Sequence, residues 1–523
     1  MHCRTCELTR NGTVELGALT SIARLAYHRC ARQQFAALER PHRERLAVNA
    51  GKSKGGGRKI YLVALAIAQF AAFTRSVVLA RLLGPEQVGL AAVIVVTAQF
   101  FDSVSDTGND RFLIQDPAGD SPRALELIHL VSVVKGLAIA TLLIVLAHPI
   151  ALFMKVPQVY PALAVLAIVP LISGFTNFRF RVSQRHHHFG GEAKVLFSSE
   201  ICGLVATAAA AFVLRQFTAV LFGLAARSLA GVLVSQMVAQ SPYRLRYSKE
   251  FAQRLWRFGA PLMVNGLLLF AATQSDRVII SRSLGPTDLG RYSVLLLLGV
   301  YPSATIMKFA ATLFLPQITP GMLGGEIVRS AADRLESVST LLSLAMAVGF
   351  AWFVPLLLPL IFGTEFRASR LLVTLVALIV SWRMMKTAPT TIAIAAGKTE
   401  IVLVNNLSRL SGVIAAILGL EFIGGLEGVA LGLIVGEIIA NTTATLLLNW
   451  KLKWHPLHGS ERYALFGTAG FLLIAFAYLR DQAEPRAALF GASLCVLVVC
   501  AALVRERATF VQFHRLVRQK ARP

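Results

Sequence analysis

Long apolar runs alternate with short polar or Gly/Pro-bearing segments from about residue 58 to residue 504. Stretches such as LVALAIAQFAAF, LAIATLLIVLAHPIALF and LFGASLCVLVVCAALV are too long and too apolar for the core helices of a soluble domain. About 20 apolar residues span a bilayer core of roughly 30 Å. The pattern predicts fourteen spans, near 60–81, 87–107, 124–149, 158–178, 194–214, 217–239, 258–281, 288–314, 335–361, 368–392, 400–420, 425–449, 462–480 and 486–504. The expected fold is therefore an all-α polytopic membrane protein. No connection between spans exceeds about twenty residues, and soluble domains start near 50.

Composition agrees: 55% of residues are hydrophobic and 15% charged, against roughly 25% charged in soluble domains. The net charge of +24 falls in loops and tails rather than in a basic patch on a folded domain, so nucleic acid is not an expected partner. Odd-to-even connections (82–86, 150–157, 282–287, 421–424) are short and poor in Lys, whereas even-to-odd ones hold RFRVSQRHHH, YRLRYSKEFAQRLWR and NWKLKW. Cations collect on the cytoplasmic side, which assigns the second set and both basic tails to the cytoplasm and requires an even number of spans. Two segments read as helices lying on the membrane surface: Phe251, Leu255, Trp256 and Phe258 against Lys249, Arg254 and Arg257, and Phe510, Phe513, Leu516 and Val517 against Arg515, Arg518 and Lys520.

Six cysteines imply no disulfide framework, since Cys202, Cys495 and Cys500 lie in apolar runs. Cys3 and Cys6, with His28 and Cys30, have zinc-ligand spacing, but the favoured reading of 1–57 is a basic, disordered cytoplasmic leader without a secretory signal. His186 to His188 cannot share one helix face and read as an interfacial loop. No metal or cofactor is expected.

One sentence is written twice. ARLLGPEQVG, Ala80 to Gly89, returns as SRSLGPTDLG, Ser281 to Gly290. At this offset Val77, Arg81, Leu83, Gly84, Pro85, Gly89 and Val93 meet Val278, Arg282, Leu284, Gly285, Pro286, Gly290 and Val294. Gly tolerates a helix-terminating backbone and Pro suits a first helical position, so each copy ends one span and starts the next. Six spans separate the copies, which gives them the same orientation and predicts a parallel repeat about an axis along the membrane normal. A weaker echo pairs GGEAKVLF (190–197) with AAGKTEIVLV (395–404). The expected organisation is a six-helix lobe at 58–247, a second at 248–454 opened by an interfacial helix, and two further helices with a basic amphipathic tail at 455–523.

Charges inside spans are costly and therefore usually functional. The deep basic residues are Arg75, Lys135, Arg227, Arg277, Lys386 and Arg409, with Arg383 and Lys308 nearer a cytoplasmic end; the deep acids are Glu200, Asp276 and Glu437. Six bases facing lipid would cost on the order of 15–20 kcal/mol, so they are expected to line a wet cavity. Their surplus over acids suits an anion, because the guanidinium fork matches phosphate oxygens. Arg81 and Arg282 read as interfacial anchors.

RSVVLARLLGPEQVGLAAV, FFDSVSDTGNDRFLIQ, QSDRVIISRSLGPTDLGRYSV and AAGKTEIVLVNNLSRL, in that order, resemble the oligosaccharide and polysaccharide flippases, the Wzx-like branch of the multidrug/oligosaccharidyl-lipid/polysaccharide exporter superfamily. The resemblance covers roughly 58–450 and implies translocation of an undecaprenyl-diphosphate-linked oligosaccharide across a bacterial inner membrane, for lipopolysaccharide or exopolysaccharide synthesis. It also implies a cationic cavity between lobes; the intramembrane charges themselves, not the resemblance, nominate Arg75, Lys135, Arg227, Arg277, Lys386 and Arg409 for substrate binding and Glu200, Asp276 and Glu437 for ion coupling. A polysaccharide polymerase and glycosyltransferases are the implied partners. The competing readings are an ion-coupled multidrug antiporter, which wants acids in an apolar pocket, and a membrane glycosyltransferase or polymerase, which wants catalytic carboxylates on a sizeable outer loop.

Overall fold

The computed structural model describes residues 56–186, 188–239, 242–314, 318, 326–452 and 459–481. By internal contacts the chain divides after Ile60, and the fold described is that of the unit Tyr61–Pro523. Among the described residues eleven helices are long and apolar enough to cross a membrane. The first of these, Ile60–Gln115, contains two of the predicted spans. The Cys3, Cys6, His28 and Cys30 cluster, the last predicted span and the C-terminal amphipathic segment lie outside the described residues.

Helix α1 (Gly56–Val104) is two arms meeting at Gly84, whose φ of 76° breaks the helix where Pro85 starts the next arm. After the short α2 (Asn109–Gln115), α3 (Pro122–Phe153) crosses back. The fourth predicted span, 158–178, is instead two short helices, α4 (Tyr160–Val165) and α5 (Ile168–Ser173). Pro170 has no N–H for the Leu166 carbonyl, which accepts from Val169 N at 3.0 Å in a tight turn. A short α6 (Arg179–Arg185) leads to the hairpin α7 (Gly190–Leu214) and α8 (Ala219–Val238).

The second half opens with α9 (Lys249–Leu284), which ends at Gly285 with φ 91°, the counterpart of Gly84, and turns into α10 (Pro286–Phe314). Then come α11 (Glu326–Phe362), α12 (Arg370–Met385), α13 (Thr387–Ala395), α14 (Thr399–Ser408), α15 (Ser411–Phe422), α16 (Gly425–Leu452) and α17 (Gly459–Asp481). Spans ten and eleven are broken: Lys386 joins α12 to α13, and Arg409 lies between α14 and α15. Small residues let α15 and α16 touch, and a Cβ on Gly432 would lie 2.2 Å from the Ala415 carbonyl.

Helix α12 is buried along almost its whole length, as an all-round apolar helix must be. Helix α17 supplies part of the cover. Tyr463 stacks on Trp382 at 6.2 Å, Arg462 Nη1 pairs with Glu336 at 3.2 Å, and the Asp481 carboxylate accepts from the backbone N of Leu371 at 3.0 Å, at the start of α12. The thirteenth predicted span is thus built into the second half.

The expected surface helix at the start of α9 differs from its sequence reading. Phe251 and Leu255 are buried against Phe112, Leu113, Leu125 and Ile128, while Trp256 remains exposed. Helix α2, which hydropathy alone does not mark as a partner, takes up the apolar face.

Candidate functional site

The two copies of the repeat meet. A Cβ on Gly89 would lie 1.7 Å from the carbonyl oxygen of Pro286, and one on Gly290 would lie 1.9 Å from that of Pro85. The arginines that close each copy exchange as well. Arg81 donates from Nε to Ile361 O at 2.8 Å and from Nη2 to Leu360 O, at the C-terminus of α11. Arg282 donates from Nη1 to Phe153 O at 2.6 Å, at the C-terminus of α3, and its guanidinium covers the Phe153 ring. Each cation sits where the last helical carbonyls lack partners and carry partial negative charge. Arg81 and Arg282 therefore cap helices of the opposite half, a contact that their sequence reading as interfacial anchors does not include. Below this end Phe73 meets Tyr301 at 6.1 Å, and Phe100 meets Phe270 at 5.1 Å.

Farther from this end, Arg75 on α1, Glu200 on α7 and Arg227 on α8 form one centre. The buried Glu200 carboxylate lies 3.1 Å from Arg75 Nη1 and 2.9 Å from Arg227 Nε. Gly203, one turn beyond Glu200, leaves the room both arginines occupy: a Cβ there would lie 3.2 Å from Arg75 Nη1. Arg227 is 46% exposed and lines a cavity of about 360 Å³ together with Asp102, Arg181, Glu192, Glu200 and Ser228. Arg181 is paired with Asp110 and Glu192. Lys135 has no ion-pair partner among the described residues and lies in the field of Asp102.

The second half has a matching centre. Arg383 Nε donates to Glu437 Oε1 at 2.7 Å; Arg409 Nη2 lies 2.6 Å from the same oxygen, in ion-pair reach though off the hydrogen-bonding direction. Lys386 stands in the field of Arg409, Glu437 and Arg383 without an ion pair of its own among the described residues. Asp276 accepts from Tyr292 Oη at 2.9 Å, and Arg277 donates to Gln274 Oε1 at 2.8 Å.

The offset that aligns Gly84 with Gly285 also aligns Arg75 with Asp276. The hairpin α7–α8 pairs an acid with a base, Glu200 with Arg227, while the corresponding α15–α16 hairpin is entered by the base Arg409 and holds the acid Glu437. Each centre keeps one glutamate between two arginines, while the chain positions that supply the acid and the base are exchanged.

Six predicted basic residues thus divide. Arg75 and Arg227 are joined by Glu200, Arg409 is joined to Glu437, and Lys386 lies beside that pair; Arg277 and Lys135 stand apart from both carboxylates. Arg409 is buried, with 8% of its side chain exposed, and points into the second half rather than into the cavity. Sequence reasoning put Arg383 near a helix end and passed over Asp102. Arg383 lies three residues before Lys386, and Asp102 lies in FFDSVSD at the end of an apolar run. Among the described residues no group of three or more His, Cys, Asp or Glu side chains has the arrangement of a metal site.

The proteins this chain resembles include two with named roles. The succinoglycan biosynthesis transport protein ExoT of Rhizobium meliloti (strain 1021) is 26% identical over 55% of this chain, which spans 58% of that protein's length. The lipopolysaccharide biosynthesis protein WzxC of Escherichia coli (strain K12) is 21% identical over 73% of this chain and 77% of its own. Among solved structures, the lipid II flippase MurJ in an inward closed conformation superposes with a TM-score of 0.65, at 11% identity, over 86% of this chain and 99% of that one. An inward-facing multidrug resistance MATE family transporter of the MOP superfamily superposes with 0.59, at 15% identity, over 75% and 98%. These likenesses identify the fold. Residues 78–371, more than half of the chain, match the family described as polysaccharide biosynthesis protein, and this multi-pass membrane protein belongs to it.

Proposed function

We propose that this chain is a flippase that moves an undecaprenyl-diphosphate-linked oligosaccharide across the bacterial inner membrane, for surface or exopolysaccharide synthesis. The observation that carries the reading is the charge ratio at mid-membrane. Arg75, Lys135, Arg181, Arg227, Arg277, Arg383, Lys386 and Arg409 stand against Asp102, Glu192, Glu200, Asp276 and Glu437, and the surplus lies around the cavity, whose own lining holds Arg181 and Arg227 with Asp102, Glu192 and Glu200. A diphosphate in hydrocarbon loses tens of kcal/mol of solvation. A wet chamber with a positive surplus around it lowers that barrier while the prenyl tail stays in lipid.

In this reading the lobes 58–247 and 248–454 rock about the chamber, with 455–523 carried by the second lobe. Arg75 and Arg227 receive the diphosphate first, since each spends one nitrogen on Glu200 and keeps further donors for phosphate oxygens. Lys135, Arg277, Lys386 and Arg409 extend the positive field. Glu200, Asp276 and Glu437 are the groups on which an ion gradient would act. The positive-inside rule puts both termini in the cytoplasm and the Gly-Pro ends at the periplasm, so the Arg81 and Arg282 caps form the periplasmic closure. Glycosyltransferases supply the substrate on one side, and a polymerase takes it on the other.

A strain lacking the chain is expected to lose its surface glycan and accumulate the lipid-linked oligosaccharide. The wild type restores export and Arg227→Ala or Lys135→Ala, expressed equally, does not. Unchanged glycan together with greater drug susceptibility would replace this reading with the multidrug antiporter.

A further inference from the structure

The segment joining the two halves carries a surface that the transport reading does not use. Helix α9 has 36 residues and is about 54 Å long, well beyond a hydrocarbon core of roughly 30 Å. Its first turns therefore stand outside the core. There Phe251 and Leu255 are occupied by α2 and α3, and a different face is left open. Trp256 is 65% exposed; in the extended stretch before the helix Tyr247 is 66% and Leu245 49% exposed. Arg244, Arg246, Lys249 and Arg257 are exposed among them. A cavity of about 510 Å³ opens between α2 and α9, lined by Phe112, Asp116, Arg254, Arg257 and Phe258 among others. Asp116 is neutralised by Arg254 at 2.5 Å, and Glu250 lies 3.7 Å from the same guanidinium. Arg257 has no ion-pair partner among the described residues.

We infer that this linker surface is a binding site for an acidic phospholipid, whose phosphate enters the groove beside Arg257 while its acyl chains run along Trp256. The charge balance selects the occupant: Arg185, Arg244, Arg246, Lys249, Arg254 and Arg257 surround three carboxylates, Asp116 and Glu250, both held by Arg254, and Glu126 beside Arg246. Aromatic side chains mixed with cations at the end of a spanning helix match the interface of a bilayer with anionic headgroups. Because α9 runs unbroken from this groove to Arg282, a lipid held here fixes the near end of the helix whose far end closes on α3. The lipid is thus a ligand of the hinge and not of the transport cavity.

Quenching of Trp256 by brominated lipid tests this in the full-length protein reconstituted in nanodiscs. The Trp256 signal is the difference between wild type and Trp256→Phe. Brominated phosphatidylglycerol diluted into phosphatidylcholine is expected to quench it more strongly than brominated phosphatidylcholine at the same fraction. Arg257→Gln is expected to weaken the preference about fivefold, the effect of one charge near a membrane surface, and Arg244→Gln with Arg246→Gln further. These positions are exposed, and an unchanged elution profile checks the fold. Equal quenching by the two lipids would overturn the proposal, as would displacement of phosphatidylglycerol by inorganic pyrophosphate, which would make the groove a diphosphate site. Neither result would touch the flippase reading, which rests on other residues.

Discussion

Gly89 and Pro286 touch backbone to backbone across the two halves of the molecule, and Gly290 and Pro85 make the same contact in reverse. A motif that reads as a local helix terminator is also the surface on which the halves close. Alanine at either glycine brings a Cβ within 2 Å of a carbonyl oxygen. Gly89→Ala is expected to cost about 1–3 kcal/mol in the closed form and to hold the ends apart. A cysteine in the cavity, such as Ser228→Cys, then labels faster with an impermeant maleimide from the Gly-Pro side; an unchanged labelling rate would remove the contact from the closure.

The exchanged arginines give a second test. Loss of one helix cap by Arg81→Ala or Arg282→Ala is expected to cost about 1 kcal/mol, and the double variant about the sum, because the two caps are at different helices. Thermal unfolding in detergent reads the stability, and the same maleimide assay reads the opening. A single variant as damaging as the double would mean that the caps do not act separately.

The two glutamates respond differently to neutralisation. Glu437→Gln leaves Arg383 and Arg409 facing each other where little water reaches, which is expected to cost about 3–5 kcal/mol. Glu200→Gln frees Arg75, which is 17% exposed, and Arg227, which is 46% exposed and reaches the cavity, and is expected to cost about 1–3 kcal/mol. Comparable melting shifts for the two variants would contradict the difference in burial.

Helix α17 is held by a buried ion pair, Arg462 with Glu336. Arg462→Met removes the guanidinium from both Glu336 and Ser337 and is expected to lower the melting temperature, and adding Glu336→Leu is expected to restore part of the loss. No recovery in the double variant would show that the pair is needed for more than charge balance.

The spans and the repeat were legible because hydrophobic length and Gly-Pro punctuation are local properties. Arg81 was not, since its partners Leu360 and Ile361 lie far along the chain and are backbone atoms that no side-chain pattern marks. The break at Pro170 was written in the sequence but hidden inside an apolar run that hydropathy reads as continuous. The deep charges were visible as a set, but their pairing was not. Arg75 and Glu200 are 125 residues apart, and only packing of α1 on α7 shows that two arginines share one carboxylate. The inversion between Arg75 and Asp276 was available from the repeat offset alone, yet it gains meaning when both halves have their ion centres in place.

The most direct test of the cationic chamber is leaflet exposure of a lipid-linked oligosaccharide diphosphate in proteoliposomes of the purified protein. The wild type is expected to bring the glycan to the far leaflet, where an impermeant lectin or glycosidase reaches it, and Arg75→Ala with Arg227→Ala to reduce the rate at least tenfold at equal protein content. Translocation by that double variant at the wild-type rate would contradict the assignment of those arginines to the diphosphate.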